Sequence, residues 1–227
     1  MNLETLDFSH EPDLTFQDIE NRIKLYYPEA DLLQIKKAYE FSSKAHETQK
    51  RRSGEPYIIH PLNVVACLIK LKMDNESIIA GFLHDTIEDC GVTAEEISTE
   101  FSPKVAEIVL GLTKISKIKF KTIADNQAEN FRKMVVAMAK DLRVIIVKLA
   151  DRMHNMRTLQ YIKEEKQKRI AQETLDIYVP LASRLGINSV KAELEDLCLR
   201  YLKPEVYYRL AEKVSMKKSE REKYILN

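Results

Sequence analysis

In "DLLQIKKAYEFSSKAHETQK", residues 31–50, Leu32, Ile35, Ala38, Tyr39, Ser42 and Ala45 fall on one face at the three-to-four spacing of an amphipathic helix. The pattern predicts one long helix there, preceded by a short one ending near Pro28. It runs into a loop at "RRSGEPYIIHP", where Gly54, Pro56 and Pro61 interrupt the periodicity. Pro61 suits the first turn of the next helix, "PLNVVACLIKLKM". Another helix is predicted over about 75–88, and Thr93 with Glu96 three residues later makes a capping box. Ser102 and Pro103 open "SPKVAEIVLGLTKIS", and residues 114–125, with Lys114, Lys117, Lys119 and Lys121, read as a basic surface loop. Residues 126–160 read as two helices broken near Asp141. Within the second, the β-branched run "LRVIIVKLA" would also suit a buried strand, but the apolar face continuing into "DRMHNMRTL" favours helix. Helices over about 163–182 and "INSVKAELEDLCLRYL" follow, then a charged helical tail. The class is all-α.

Composition narrows the picture without changing it. The chain has 227 residues, 5 Gly, no Trp, 31% charged and 44% hydrophobic residues, which excludes a disordered chain and a barrel of short strands. A net charge of +1 gives no global field to attract nucleic acid or membrane. No window nears the roughly 18 apolar residues of a membrane span, and the N-terminus lacks a signal-peptide pattern. Cys67, Cys90 and Cys198 are widely spaced, which fits the reducing cytoplasm and offers no thiolate zinc site.

The chemistry sits inside apolar helices. "GFLHDTIED" places His84, Asp85, Glu88 and Asp89 in a stretch that otherwise reads as buried, where ionisable groups are costly unless paired or holding a metal. On one helix, Asp85, Glu88 and Asp89 would share a face. "VKLADRMHNMRTL" puts Lys148, Asp151, Asn155 and Thr158 on one stripe, and "RRSGEPYIIHP" sets His60 beside Arg51, Arg52 and Ser53. Taken singly, His60 reads more simply as a core histidine, and Asp151 reads equally well as the ion-pair partner of Lys148 or Arg152. Taken jointly, His60, His84, Asp85 and Asp151 form a two-histidine, two-carboxylate set suited to Mn, Fe or Zn, among which donor chemistry does not choose.

The order of His60, then His84-Asp85, then Asp151 resembles the HD phosphohydrolase superfamily. The strings "RRSGEPYIIHPLNV", "GFLHDTIED", "AENFRKMV", "VKLADRMHNMRTL" and "IYVPLASRLGINSVKAELEDLCLRYL" are similar to the hydrolase domain of long RelA/SpoT-type alarmone enzymes, over about residues 25–210. The resemblance implies an HD-domain helical fold and one Mn²⁺ ion held by His60, His84, Asp85 and Asp151. It implies that Glu88 and Asp89 position or activate the attacking water, and that Arg51, Arg52 and Ser53 form a substrate loop. Asn155 and Thr158 match positions lining the nucleotide pocket, and Lys148 is a weaker phosphate contact. The implied reaction removes the 3′-pyrophosphate of guanosine tetra- or pentaphosphate to release GDP or GTP, in control of the stringent response. The family usually has Thr at the position of Cys90, and often His or Tyr where Phe131 is expected to pack.

The organisation expected is a hydrolase domain at 1–160 and a helical extension at 161–227 leading toward a synthetase domain that is absent, in a fragment of a longer protein with synthetase and regulatory domains. No synthetase activity, nucleic-acid binding or membrane contact is expected of the chain. The competing readings are another HD-superfamily nucleotide phosphohydrolase and a regulatory domain without its metal site. His154 is expected in a supporting role rather than as a ligand, and His10 and His46 are expected to be exposed.

Overall fold

The computed structural model describes residues 10–116 and 141–225, with side chains through 115 in the first stretch and 214 in the second. The chain divides into two compact units, residues 1–161 and 162–227. Among the described residues there is no strand, only one isolated bridge between Lys50 and Pro56.

In the first unit, α1 (Phe16–Tyr26) opens on a Thr15–Asp18 capping box and buries Ile19 and Ile23. Helix α2 (Leu32–Ala45) starts at the side-chain cap of Asp31 and buries Ile35, Ala38 and Ser42. It is shorter than the periodicity predicts. The residues expected to extend it turn instead: Gln49 N–H donates to His46 O at 2.9 Å and Tyr57 N–H to Gln49 O at 3.1 Å. Arg51 N–H reaches Glu55 O at 2.9 Å, and Gly54, at φ 93°, takes the left-handed position that closes the turn. The arginine loop is thereby folded back on itself.

Helix α3 (Ile59–Lys70) is buried from His60 to Ile69 and carries Pro61 in its first turn. Helix α4 (Asn75–Leu83) begins at the Asp74 cap, which accepts from Ser77 N–H at 2.9 Å. The two helices approach closely at Gly81, where a Cβ would stand 2.6 Å from Leu68 Cδ1 and 3.1 Å from Val65 Cγ2. That approach brings His60 and His84 together, their rings edge-on with centroids 5.0 Å apart.

A single helix over 75–88 does not form. Helix α4 stops at Leu83, the chain turns at His84 and Asp85, and a short α5 (Thr86–Asp89) resumes. The cause is local competition for carbonyls. His84 Nδ1 takes Gly81 O at 2.8 Å and Thr86 Oγ1 takes Leu83 O at 2.8 Å, acceptors that a continuous helix would give to the backbone four residues on.

Helix α6 (Ala94–Glu100) has the expected Thr93–Glu96 capping box. Helix α7 (Pro103–Ser116) is capped by Ser102, whose Oγ accepts from Val105 N–H at 3.2 Å, and it includes Lys114. Residues 117–140, which hold the rest of the predicted basic loop, the first of the two predicted helices and Phe131, lie outside the described residues. The β-branched run is helical: α8 (Leu142–Arg157) starts at the Asp141 cap and buries Val144, Ile145, Val147 and Leu149. It packs on α3, α4 and α7, with α7 held close at Gly111, where a Cβ would lie 3.0 Å from Val144 Cγ2. A 3-10 turn at Leu159–Tyr161 ends the unit.

The second unit holds α9 (Glu164–Glu173), α10 (Val179–Arg184), α11 (Asn188–Leu202) and α12 (Pro204–Ile225). The helix predicted over 163–182 is interrupted by a π turn at Thr174–Tyr178. Pro180 follows directly; it offers no N–H and its ring crowds the carbonyl four residues back, so regular α geometry gives way there. Cys198 Sγ donates to Ala171 O at 3.3 Å and helps tie α11 to α9.

Candidate active site

Three helices each carry one member of a buried cluster. His60 lies in the first turn of α3, His84 at the break after α4 and Asp151 in the middle of α8, with relative exposures of 1%, 4% and 4%. One potential ligand atom from each lies within 4.8 Å of the others. His60 Nε2 and His84 Nε2 are 3.1 Å apart, and Asp151 Oδ1 is 3.3 Å from the former. Asp85 borders the group, its Oδ2 2.9 Å from His84 Nε2 and 3.6 Å from His60 Nε2.

The electrostatics of the cluster call for positive charge. Burial opposes the charged form of His84, but the Asp85 carboxylate, its hydrogen bond and Asp151 outweigh this and raise the pKa to about 9. Burial pushes His60 the other way, down to about 4. Burial also works against ionised Asp151, yet the Lys148 charge and both imidazoles hold its pKa well below the ordinary value. For Asp85, burial is likewise overcome by His84. Two imidazole nitrogens 3.1 Å apart cannot both present lone pairs to each other without a cation or proton between them. Imidazole and carboxylate together are the donors a divalent metal takes, so this site fits one.

Beside the cluster lies a polar grip. Arg51 Nη2 donates to Asn155 Oδ1 at 3.0 Å and to Thr158 Oγ1 at 3.1 Å. Asn155 Nδ2 in turn donates to Asp151 Oδ1, so the grip and the cluster share one network on α8. Lys148 Nζ donates to Asp151 Oδ2 at 2.8 Å. The structure thus brings Arg51, Lys148, Asp151, Asn155 and Thr158 together. Ser53 is turned to Glu55, its Oγ–H donating to Oε2 at 2.6 Å, and Arg52 is exposed. Glu88 and Asp89 are exposed on α5, and only Asp89 of the two hydrogen-bonds to this network among the described residues.

Tyr57 makes that connection and escapes a reading of the sequence. Its hydroxyl lies 2.6 Å from Asp85 Oδ2, to which it donates, and 3.3 Å from Asp89 Oδ2. Burial first, then the Asp85 charge, drives the Tyr57 pKa far up, so the phenol stays a donor. Burial and the Asp85 charge also raise the Asp89 pKa. The signal available in advance was spacing: Tyr57 precedes His60 by one helical turn.

Two histidine expectations fail. His46 is 2% exposed, stacks on Tyr57 with ring centroids 4.3 Å apart, and has Cys90 Sγ 3.2 Å from its Nδ1. His10 is only partly exposed: its Nδ1 meets His154 Nε2 at 3.1 Å and its Nε2 meets Glu55 Oε1 at 3.3 Å. Both are covered by residues distant in sequence, which periodicity does not report. His154, 1% exposed, lies 2.7 Å from the far nitrogen of His60, Nδ1 to Nδ1.

The HD domain family profile matches residues 38–188, a span holding the whole cluster and grip. A GTP pyrophosphokinase of Myxococcus xanthus is 56% identical over 89% of this chain and 27% of its own length. A guanosine-3′,5′-bis(diphosphate) 3′-pyrophosphohydrolase of Aquifex aeolicus is 49% identical over 92% of this chain and 29% of its own. The bifunctional (p)ppGpp synthase/hydrolase SpoT of Escherichia coli K12 is 46% identical, with 92% and 30% covered. The chain spans under a third of the length of these curated relatives. A solved structure described as a metazoan orthologue of SpoT that hydrolyses ppGpp shares the fold, with a TM-score of 0.51 and 22% identity over 74% of this chain and 94% of that one. The helical fold and the histidine–aspartate cluster define an HD-type domain, and the chain belongs to the HD-domain family.

Proposed function

We propose that this chain is a Mn²⁺-dependent (p)ppGpp 3′-pyrophosphohydrolase, releasing GDP or GTP and pyrophosphate in stringent-response control. The observation that carries the reading is the shared network. The His60–His84–Asp151 cluster and the Arg51–Asn155–Thr158 grip meet at the Asp151–Asn155 hydrogen bond. Relatives at 46–49% identity bearing pyrophosphohydrolase or synthase/hydrolase names support it.

His60, His84, Asp85 and Asp151 would hold one Mn²⁺, which when bound lowers the pKa of water and neutralises phosphate charge. Arg51 can exchange its hydrogen bonds to Asn155 and Thr158 for phosphate oxygens, a geometry its planar fork suits. Arg52, Ser53 and Lys148 add donors around the phosphates. Asp89, steered by Tyr57, accepts the proton of the attacking water, with Glu88 next to it on α5 orienting that water. The raised Asp89 pKa favours that proton transfer.

The hydrolase is assigned to residues 1–160, and residues 161–227 lead toward a synthetase domain in the full-length protein. The chain itself makes no alarmone, binds no nucleic acid or membrane, and works in the cytoplasm, which three cysteines outside any disulfide suit. The test is a panel of guanosine tetraphosphate, deoxynucleoside monophosphates and a cyclic dinucleotide, each incubated with the protein and Mn²⁺. Turnover of the tetraphosphate alone is expected. Brisk turnover of another nucleotide with the tetraphosphate inert would assign a different HD phosphohydrolase activity.

A further inference from the structure

Behind the cluster, Glu55, His10 and His154, three side chains that the proposed reaction does not use, link the arginine loop to His60. Ser53 Oγ meets Glu55 Oε2 at 2.6 Å, and Glu55 Oε1 meets His10 Nε2 at 3.3 Å. His10 Nδ1 then meets His154 Nε2 at 3.1 Å, and His154 Nδ1 meets His60 Nδ1 at 2.7 Å. The chain joins the arginine loop to a cluster histidine through residue 10, 144 positions from His154 in sequence.

The polarity of this chain follows from its first member. An ionised carboxylate only accepts, so His10 Nε2 carries the proton. With that single ring proton His10 accepts at Nδ1, and His154 donates from Nε2. His154 accepts in its turn at Nδ1, so His60 donates from Nδ1 and leaves Nε2 bare. That bare nitrogen is the one 3.1 Å from His84 Nε2 and 3.3 Å from Asp151 Oδ1. His84 is oriented by another route: its Nδ1–H donates to Gly81 O at 2.8 Å, which turns its Nε2 toward the cluster. One histidine is set by a backbone carbonyl, the other by a relay ending in the loop that carries Arg51.

We propose that His10 and His154 are positioning residues: with Glu55 they form a hydrogen-bonded relay that fixes the ring orientation and tautomer of His60 for a divalent ion. The proposal rests on the divalent-ion reading of the cluster. It makes a residue near the chain's N-terminus a determinant of metal affinity, and it couples the arginine loop to the cluster through Glu55. Partners behind a metal-binding imidazole commonly carry about 10- to 100-fold of metal affinity.

The test is calorimetric titration with Mn²⁺ of the wild-type protein and of His154→Leu, His154→Asn, His10→Ala and His10→Asn, with melting temperatures of the metal-free proteins alongside. An asparagine carbonyl can accept where Nδ1 does, so each Asn variant keeps the acceptor that the relay requires. Leu at 154 is expected to weaken Mn²⁺ binding about 10- to 100-fold, with Asn restoring most of it. Ala at 10 should give a smaller loss in the same direction, again restored by Asn. Should His154→Leu fail to fold, the partly exposed position 10 decides the matter through its Ala–Asn pair. Unchanged Mn²⁺ affinity in His10→Ala, or equal losses in the Ala and Asn variants, would overturn the relay while leaving the metal reading intact. Absence of Mn²⁺ binding by the wild-type protein would overturn the metal reading and the relay with it.

Discussion

The buried cluster and the polar grip beside it share α8 but solve opposite problems. In the cluster, His60 Nε2, His84 Nε2 and carboxylate oxygens of Asp85 and Asp151 converge on one another, and their mutual field calls for a cation. In the grip, Arg51 already satisfies Asn155 and Thr158, so every partner is paired before anything binds. The first arrangement suits an ion kept through many turnovers. The second suits a ligand that comes and goes, because its bonds can be exchanged at little net cost.

That contrast makes different demands on variants of the two regions. His84→Ala removes a converging donor, and Mn²⁺ binding and turnover should be lost together, by more than about 100-fold each, as read by calorimetry and product release. Arg51→Ala should leave Mn²⁺ binding intact and raise KM, with charged hydrogen bonds of about 1.5–3 kcal/mol each at stake. Arg51→Lys should recover only part of it, because an ammonium lacks the planar guanidinium fork that meets two phosphate oxygens side by side. A joint loss of metal and substrate binding in Arg51→Ala would erase the distinction between the regions. Tyr57→Phe lies between them. It deletes the hydroxyl joining Asp85 to Asp89, so kcat should fall about 10-fold for a lost bond of about 1–1.5 kcal/mol, with Mn²⁺ affinity less affected.

The smallest effect is expected outside both regions. Arg143 bridges Asp141, the α8 cap, and Asp74, the α4 cap, with Nη1 2.9 Å from Asp74 Oδ2. The hydrogen bond from Arg143 lowers the Asp141 pKa; at Asp74, burial pushes upward, but the Ser77 and Arg143 bonds prevail and lower it too. Both carboxylates therefore stabilise the fold above the ordinary aspartate value of 3.8, and that contribution is lost as pH falls through their lowered values. Arg143→Ala should lower stability by about 1 kcal/mol at neutral pH. It should also flatten the acid dependence of the melting temperature, without changing Mn²⁺ binding or turnover.

How much of this was legible in the sequence varied with local geometry. The stripe of Lys148, Asp151, Asn155 and Thr158 was readable because α8 is unbroken, and spacings of three and four do become the hydrogen bonds Lys148–Asp151 and Asn155–Asp151. The same arithmetic misjudged 75–88, because His84 and Thr86 take the carbonyls of Gly81 and Leu83 and break the helix where the acidic residues begin. Asp85 is consequently turned toward the histidines and Asp89 is reached only through Tyr57. The turn after Ala45 was hidden for a related reason, since it depends on pairing with Tyr57 and Glu55 further along. His10 and His46 were misread because their covering partners lie across the fold, as the His46–Cys90 contact shows.

Incubation of the protein with guanosine tetraphosphate, with Mn²⁺ and with the ion chelated, followed by identification of both products, tests the central claim most directly. GDP and intact pyrophosphate, formed only with Mn²⁺, are the predicted result. Inorganic phosphate as the direct product, or equal turnover with the ion chelated, would contradict it.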